Sequence, residues 1–414
     1  MPNLQSATEM DISPRRRLLA AAALALAALA APAAQAHGDH GAAPAATPAA
    51  ARPELGTSVA FAPDGSLHAV GVEGGHVLLY RSDDGGGHWQ TRGVVNREPE
   101  RISADGENRP KLAFMPDGAA LVSWTKPLAK PYSGEIRFAR AADGEHFDAP
   151  ITVHRNRDEI THRFDSLAVS GSGQVLVSWI DKRDLEAARR KQGTKADYRG
   201  AAVYAAVSTD GGRSFRPEVK LADHSCECCR IAIANDVDGV PVVLWRHVFG
   251  TNERDHALTR FDAAGKPGAV VRATFDRWHI DACPHHGPSL AIAGDGTRHA
   301  VWFNAREGEP RVFYGRLTGD AVEGQRSVGG ERAAHADIAV AGRDVVAIVW
   351  KEFDGTRTQL RVELSTDGGR QFGEARTLAA TEGASDQPRL VRNGDRLLAF
   401  WRTEREGMRG YALP

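Results

Sequence analysis

Six tryptophans at near-regular intervals constrain this chain more than any other feature. Trp124, Trp179, Trp245, Trp302, Trp350 and Trp401 are separated by 55, 66, 57, 48 and 51 residues. Each closes a short apolar run that follows another apolar run across a turn, often Asp-Gly. These pairs begin near Ser58, Lys111, Ser166, Ile231, Ser289, Asp337 and Arg389, so seven units are counted. A third run is readable in most of them, as in His76–Arg81, Glu135–Arg140, Ala201–Ser208, Arg311–Arg316 and Gln359–Ser365. Repeats of this length, built from β-type runs without a helix-length amphipathic stretch, specify an all-β fold of radial four-stranded sheets, a β-propeller. The count fits seven blades, with six also compatible. The repeated Trp is assigned to packing between sheets and to no chemistry. The last unit is short, and the segment near Arg52–Gly56 is available to complete its sheet.

The part ahead of the repeats reads as a targeting segment. Arg15-Arg16-Arg17 precede an Ala/Leu-rich run, and Ala34-Gln35-Ala36 supplies a small-x-small cleavage site. Residues 1–36 are therefore expected to be a signal peptide, of the general secretory or twin-arginine type. Residues 37–54, opening His37-Gly38-Asp39-His40, read as an Ala/Pro/His linker, and 55–414 as the propeller. The expected location is the periplasm or the exterior, with no later membrane span and a monomeric state. Lys and Arg total 52 against 53 Asp and Glu, so bulk charge points to neither nucleic acid nor an anionic membrane.

In a blade of this type the first strand leaves the mouth and the second returns to it. Residues before first strands and after second strands therefore gather at one face. That face collects Arg109-Pro110, His162-Arg163-Phe164-Asp165, Asp181-Lys182-Arg183-Asp184, Arg246-His247, His335, Glu352 and Asp386-Gln387-Pro388-Arg389. It also collects all four cysteines of the chain, in Cys226-Glu227-Cys228-Cys229 and Cys283-Pro284-His285-His286. Both clusters precede first strands of consecutive units and are expected to be neighbours. Three chemistries fit them. Disulfides suit an even count in an oxidising compartment. A metal site drawing on Cys226, Cys228, Cys229, Cys283, His285 and His286 suits Cu(I) or Zn(II). A reactive thiol beside Arg230 is the third.

Three turns carry a tighter signature: Ser82-Asp83-Asp84-Gly85-Gly86-Gly87-His88-Trp89, Ser208-Thr209-Asp210-Gly211-Gly212-Arg213-Ser214-Phe215 and Ser365-Thr366-Asp367-Gly368-Gly369-Arg370-Gln371-Phe372. Asp143-Gly144-Glu145-His146-Phe147 is a shortened relative. The carboxylate accepts backbone N–H bonds within the turn, and Gly permits positive φ. These motifs resemble the Asp-box, or BNR repeat, of sialidase-like propellers, where it lies on the face opposite the mouth. The strings His162–Leu167, Trp179–Asp184, Cys226–Arg230, Trp245–Phe249, Arg254–His256 and Cys283–Pro288 resemble more closely a group of uncharacterised exported bacterial proteins labelled exo-α-sialidase-like. The sialidase resemblance implies a carboxylate-binding arginine clamp. Arg109 before Pro110 matches its first member, and Arg246 or Arg254 with Arg389 or Arg402 would complete it. Glu352, with Asp181 or Asp165, would supply carboxylate base and acid. No tyrosine occupies a sialidase context, and the cysteine clusters are foreign to that pattern. The resulting expectation is a propeller with a Cys/His metal site, copper first. The alternatives are a glycosidase acting on acidic sugars and a non-catalytic propeller presenting its mouth to an envelope glycan or protein.

Overall fold

The computed structural model describes residues 53–193, 197–305 and 308–414. The expected signal peptide and nearly all of the linker lie outside these residues. Among the described residues, twenty-seven strands in antiparallel sheets account for almost all regular structure. Within each blade the strands follow chain order from axis to rim.

The innermost strands are Ser58–Phe61, Lys111–Phe114, His162–Val169, Ala232–Asn235, Ser289–Ile292, Ala333–Ala341 and Arg389–Asn393. Ser58, Lys111, Ser166, Ile231, Ser289, Asp337 and Arg389, one per blade, line a single axial cavity of about 240 Å³. A cavity touched by all seven inner strands makes this a seven-bladed propeller. Six blades have four strands, and the seventh has three, ending in Gly407–Ala412. Pro53–Gly56 add no strand to it; Gly56 instead donates its N–H to the Ala104 carbonyl at 3.0 Å.

The six tryptophans are at most 2% exposed and pack in the apolar layers between sheets. Second strands such as Ala120–Pro127, Val175–Asp181 and Pro241–Phe249 are buried almost without interruption, because both faces of a blade are covered by its neighbours. The Ser-x-Asp-x-Gly turns join third to fourth strands, at the end opposite the mouth. In one, the Asp210 carboxylate accepts from Ser208 Oγ, Ser214 N and Ser214 Oγ at 2.7, 3.0 and 2.6 Å. Gly212, at φ +86°, lies against the Phe138 ring, where a Cβ would collide.

Two features depart from the sequence expectation. A helix, α1 (Arg183–Gln192), follows the second strand of blade 3. Its residues are good helix formers with acids in the first turn and bases in the last, which complements the helix dipole. It buries only Leu185, so it has no amphipathic period to read. Second, blades 3 and 4 share one eight-stranded sheet, joined where Ser225 pairs with His247. No described helix is long and apolar enough to cross a membrane.

Candidate functional site

Two loops meet at the mouth between blades 4 and 5. Cys226–Arg230 runs from strand Val219–Ser225 into the inner strand of blade 4, and Cys283–Pro288 runs into that of blade 5. Cys226 N–H donates to the Arg246 carbonyl at 3.0 Å, extending the seam begun by Ser225. Glu227 points away and pairs with Lys182. This leaves the three thiols of Cys226, Cys228 and Cys229 turned together, 1%, 5% and 2% exposed.

Their sulfurs lie within 4.8 Å of one another, with Cys226 3.8 Å from Cys228 and 3.6 Å from Cys229. All four cysteines are free. A disulfide needs about 2.05 Å. A metal held at about 2.3 Å with angles between tetrahedral and trigonal separates its sulfurs by about 3.8–4.0 Å, close to what is found. Thiol donation from Cys228 and Cys229, helped by the charges of Arg246 and Arg254, holds Cys226 well below the usual thiol range. The same contact pushes Cys228 and Cys229 up. Cys283 is exposed but neighbours Cys228, whose thiol lowers it.

The two histidines of the expected ligand pool do not join this group. His285 adopts φ +51° and is exposed. His286 turns the other way and stacks on His335 with ring centroids 4.0 Å apart, and burial lowers its pKa. The left-handed backbone at His285 turns the chain, so adjacency in sequence to Cys283 does not place an imidazole beside sulfur.

The residues expected to form an anion clamp are already engaged. Arg109 is fully buried and grips Asp386 through two contacts of 2.7 and 2.8 Å, with further bonds to the Thr57 and Gly106 carbonyls. Burial lowers it to about 10 against the pull of Asp386. Arg389 faces Asp337 at 3.6 Å. Arg246 Nη2 donates to the carbonyls of His286 and Phe303 at 2.9 and 2.6 Å, while its buried Nε and Nη1 have no hydrogen-bond partner among the described residues. Arg254 donates to Asn252, and Arg402 to Thr57.

The expected carboxylates are braces as well. Asp181 accepts from the Trp179 indole, the Arg183 backbone and the Arg183 guanidinium at 2.9, 2.9 and 2.7 Å. Glu352 accepts from the Trp350 indole and Gly330 N at 2.8 and 2.9 Å. Asp165 accepts from Ser123 and Thr125 at 2.6 and 3.1 Å. All three expected carboxylates thus hold structural hydrogen bonds among the described residues. Arg183 and Asp184, adjacent in sequence, bond elsewhere: Arg183 to Asp181 and Glu218, Asp184 to Tyr204 and Lys220.

One buried residue at the centre was not singled out from sequence. Glu107 lies beneath both cysteine loops and is 3% exposed. One oxygen accepts from Arg230 N and Gly287 N, both at 2.9 Å; the other takes Arg230 Nη1 at 3.2 Å and lies 3.6 Å from His335. Burial would raise its pKa, but Arg230 and His335 outweigh that and hold it well below the usual range. Its only signal in the sequence is a place two residues before Arg109-Pro110, in the turn leading to an inner strand.

Fold and site together define a seven-bladed propeller with a buried three-sulfur cluster at its mouth. Its fold is similar to that of a protein of unknown function from Dyadobacter fermentans, at 14% identity and TM-score 0.52, over 77% of this chain and 95% of that one. A polysaccharide lyase of family PL25, an ulvan lyase, shares 12% identity and TM-score 0.54 over 84% and 90%. A leech intramolecular trans-sialidase shares 8% and 0.51 over 84% and 82%. No protein-family model matches the sequence, and no curated relative does. At these identities the likeness is one of fold, common to sialidase and polysaccharide-lyase propellers.

Proposed function

We propose that this chain is an exported propeller of the Asp-box type that binds one soft metal ion, Cu(I) in preference to Zn(II), through Cys226, Cys228 and Cys229. The carrying observation is a group of three buried, unbonded sulfurs, with those of Cys228 and Cys229 3.8 and 3.6 Å from that of Cys226. Thiolates select soft ions, and a three-sulfur set without a nearby imidazole suits Cu(I) better than a structural zinc, which takes four ligands. The positive charge of Arg246, with two unpaired N–H groups, offsets the negative charge that a metal–thiolate complex brings into the interior. Export is supported by Arg15-Arg16-Arg17, the apolar run and Ala34-Gln35-Ala36.

Purified protein, reduced and titrated with Cu(I) under anaerobic conditions, is expected to bind one equivalent, with loss of three reactive thiols. Cys226→Ser is expected to abolish binding. Stoichiometric disulfides in protein taken directly from the periplasm, with no Cu(I) or Zn(II) bound after reduction, would refute the reading. A glycan-acting role is the second reading, favoured by a fold shared with the ulvan lyase and the trans-sialidase. Turnover of fluorogenic acidic glycosides by the wild type would establish it.

A further inference from the structure

The three clustered sulfurs are sealed, at no more than 5% exposure, yet a metal must reach them. Among the cysteines, only Cys283 is exposed; its loop packs directly against the loop that carries the other three, of which Cys228 is the least buried. Its loop is pinned from below. Glu107 Oε2 accepts N–H bonds from Arg230, next to Cys229, and from Gly287, four residues after Cys283, both at 2.9 Å. The backbones pack so closely that a Cβ on Gly287 would stand 2.6 Å from Arg230 N and O. Pro284 and Pro288 stiffen the intervening chain. A surface thiol is thus held in fixed relation to a buried cluster carried by a different blade.

We infer that Cys283 is a relay thiol that captures the metal at the surface and passes it to Cys228, and that Glu107 is the positioning residue that holds the two cysteine loops in register for this transfer. This rests on the metal-binding reading above. In the step, the Cys283 sulfur bonds Cu(I) as a ligand of the incoming complex leaves. Cys228 then bonds the copper, followed by Cys226 and Cys229, as Cys283 lets go. Each incoming thiol releases its proton to solvent, Cys283 regains one on departure, and copper remains Cu(I) throughout. A relay of this kind speeds loading without strengthening the final complex, because its sulfur is absent from the resting ligand set.

The test is transfer from the Cu(I)–bicinchoninate complex, whose colour is lost as copper moves to the protein. Cys283→Ser is expected to slow transfer about tenfold or more while leaving stoichiometry and equilibrium affinity at wild-type values, since exchange rate follows thiol access. Glu107→Ala and Gly287→Ala loosen the loops with Cys283 intact and are expected to slow transfer similarly. Glu107→Gln, which keeps the oxygen accepting both backbone N–H groups, is expected to restore most of the rate. Near-UV circular dichroism identifies any variant that has lost its fold, and Cys283→Ser, a surface change, decides alone in that event. Unchanged transfer in Cys283→Ser overturns the relay. A loss of equilibrium affinity overturns it too, by making Cys283 a resident ligand. Absence of copper binding by the wild type refutes the metal reading itself, a distinct result.

Discussion

Arg109 is where the sialidase-like reading and the structure make opposite forecasts. A substrate-clamping arginine is exposed and unpaired, so removing it costs activity and little stability. Here the guanidinium is 0% exposed and the Asp386 side chain 1%. Two short contacts join them, and Asp386 also accepts Thr57 N–H at 3.0 Å. Asp386→Ala leaves a buried cation without its partner, a loss of about 3–5 kcal/mol. Unfolding of a chain this size carries an entropy of about 0.8 kcal/mol/K at roughly 2.1 cal/mol/K per residue, so the melting temperature is expected to fall by about 4–6 °C. Arg109→Met strands the carboxylate instead and is expected to cost a similar amount. Arg109→Met/Asp386→Leu removes both charges and is expected to recover most of the loss, leaving about 1 kcal/mol for the orphaned Thr57 N–H. Scanning calorimetry of the four proteins, paired with a fluorogenic acidic glycoside assay, reads both sides. Single variants within about 1 kcal/mol of wild type that also abolish glycoside turnover would refute the argument.

Lys111 is lowered to about 8 by burial. The folded state therefore binds fewer protons than the unfolded state between about pH 8 and 10.5, and the penalty of the buried ammonium lifts as pH rises through that window. Wild type is expected to gain up to about 3 kcal/mol relative to Lys111→Met between pH 7 and 10.5, read from urea midpoints. His154 is lowered to about 3 by burial and by His162, stacked on it at 3.9 Å. Its neutral form donates Nδ1–H to the Asn156 carbonyl and accepts Ile136 N–H on Nε2, so protonation removes an acceptor. The stability this gives is complete above pH 6.5 and falls as pH drops toward 3. Between pH 7 and 4, His154→Gln is expected to lose about 2–3 kcal/mol less than wild type by the same assay. Asp210→Ala removes three short bonds in a turn far from the mouth. It is expected to cost about 1 kcal/mol in thermal denaturation and to leave Cu(I) stoichiometry unchanged.

The propeller was legible because its determinants are local and repeated. Trp near the end of six second strands and Ser-x-Asp-x-Gly at three of the third turns recur often enough to reveal the unit, and the structure buries all six of those tryptophans. The same repeat held a clue to Asp181 and Glu352. Both stand two residues after their tryptophan, and both accept its indole N–H. A carboxylate recurring at a repeat position is bracing the repeat. Arg109 was not legible, because Asp386 is 277 residues away and only ring closure brings them together. The sulfur cluster was half legible. The spacing of Cys226, Cys228 and Cys229 turns three thiols inward within one loop, but the direction of His285 and His286 depends on a backbone turn at φ +51° that composition does not announce.

The shared sheet of blades 3 and 4 gives the mouth an uneven stiffness. Backbone hydrogen bonds are short-ranged and directional, whereas side-chain layers between blades tolerate small sliding, so these two blades act as one plate. The three clustered sulfurs ride on that plate, and Cys283 rides on the next blade. The spacing of the three clustered thiols is therefore set within one loop, whereas the gap from Cys228 to Cys283 is set across a blade boundary by the Glu107 bonds to Arg230 and Gly287. In mechanical terms the mouth is a clamp of two jaws, and Glu107 is the pin that fixes one to the other.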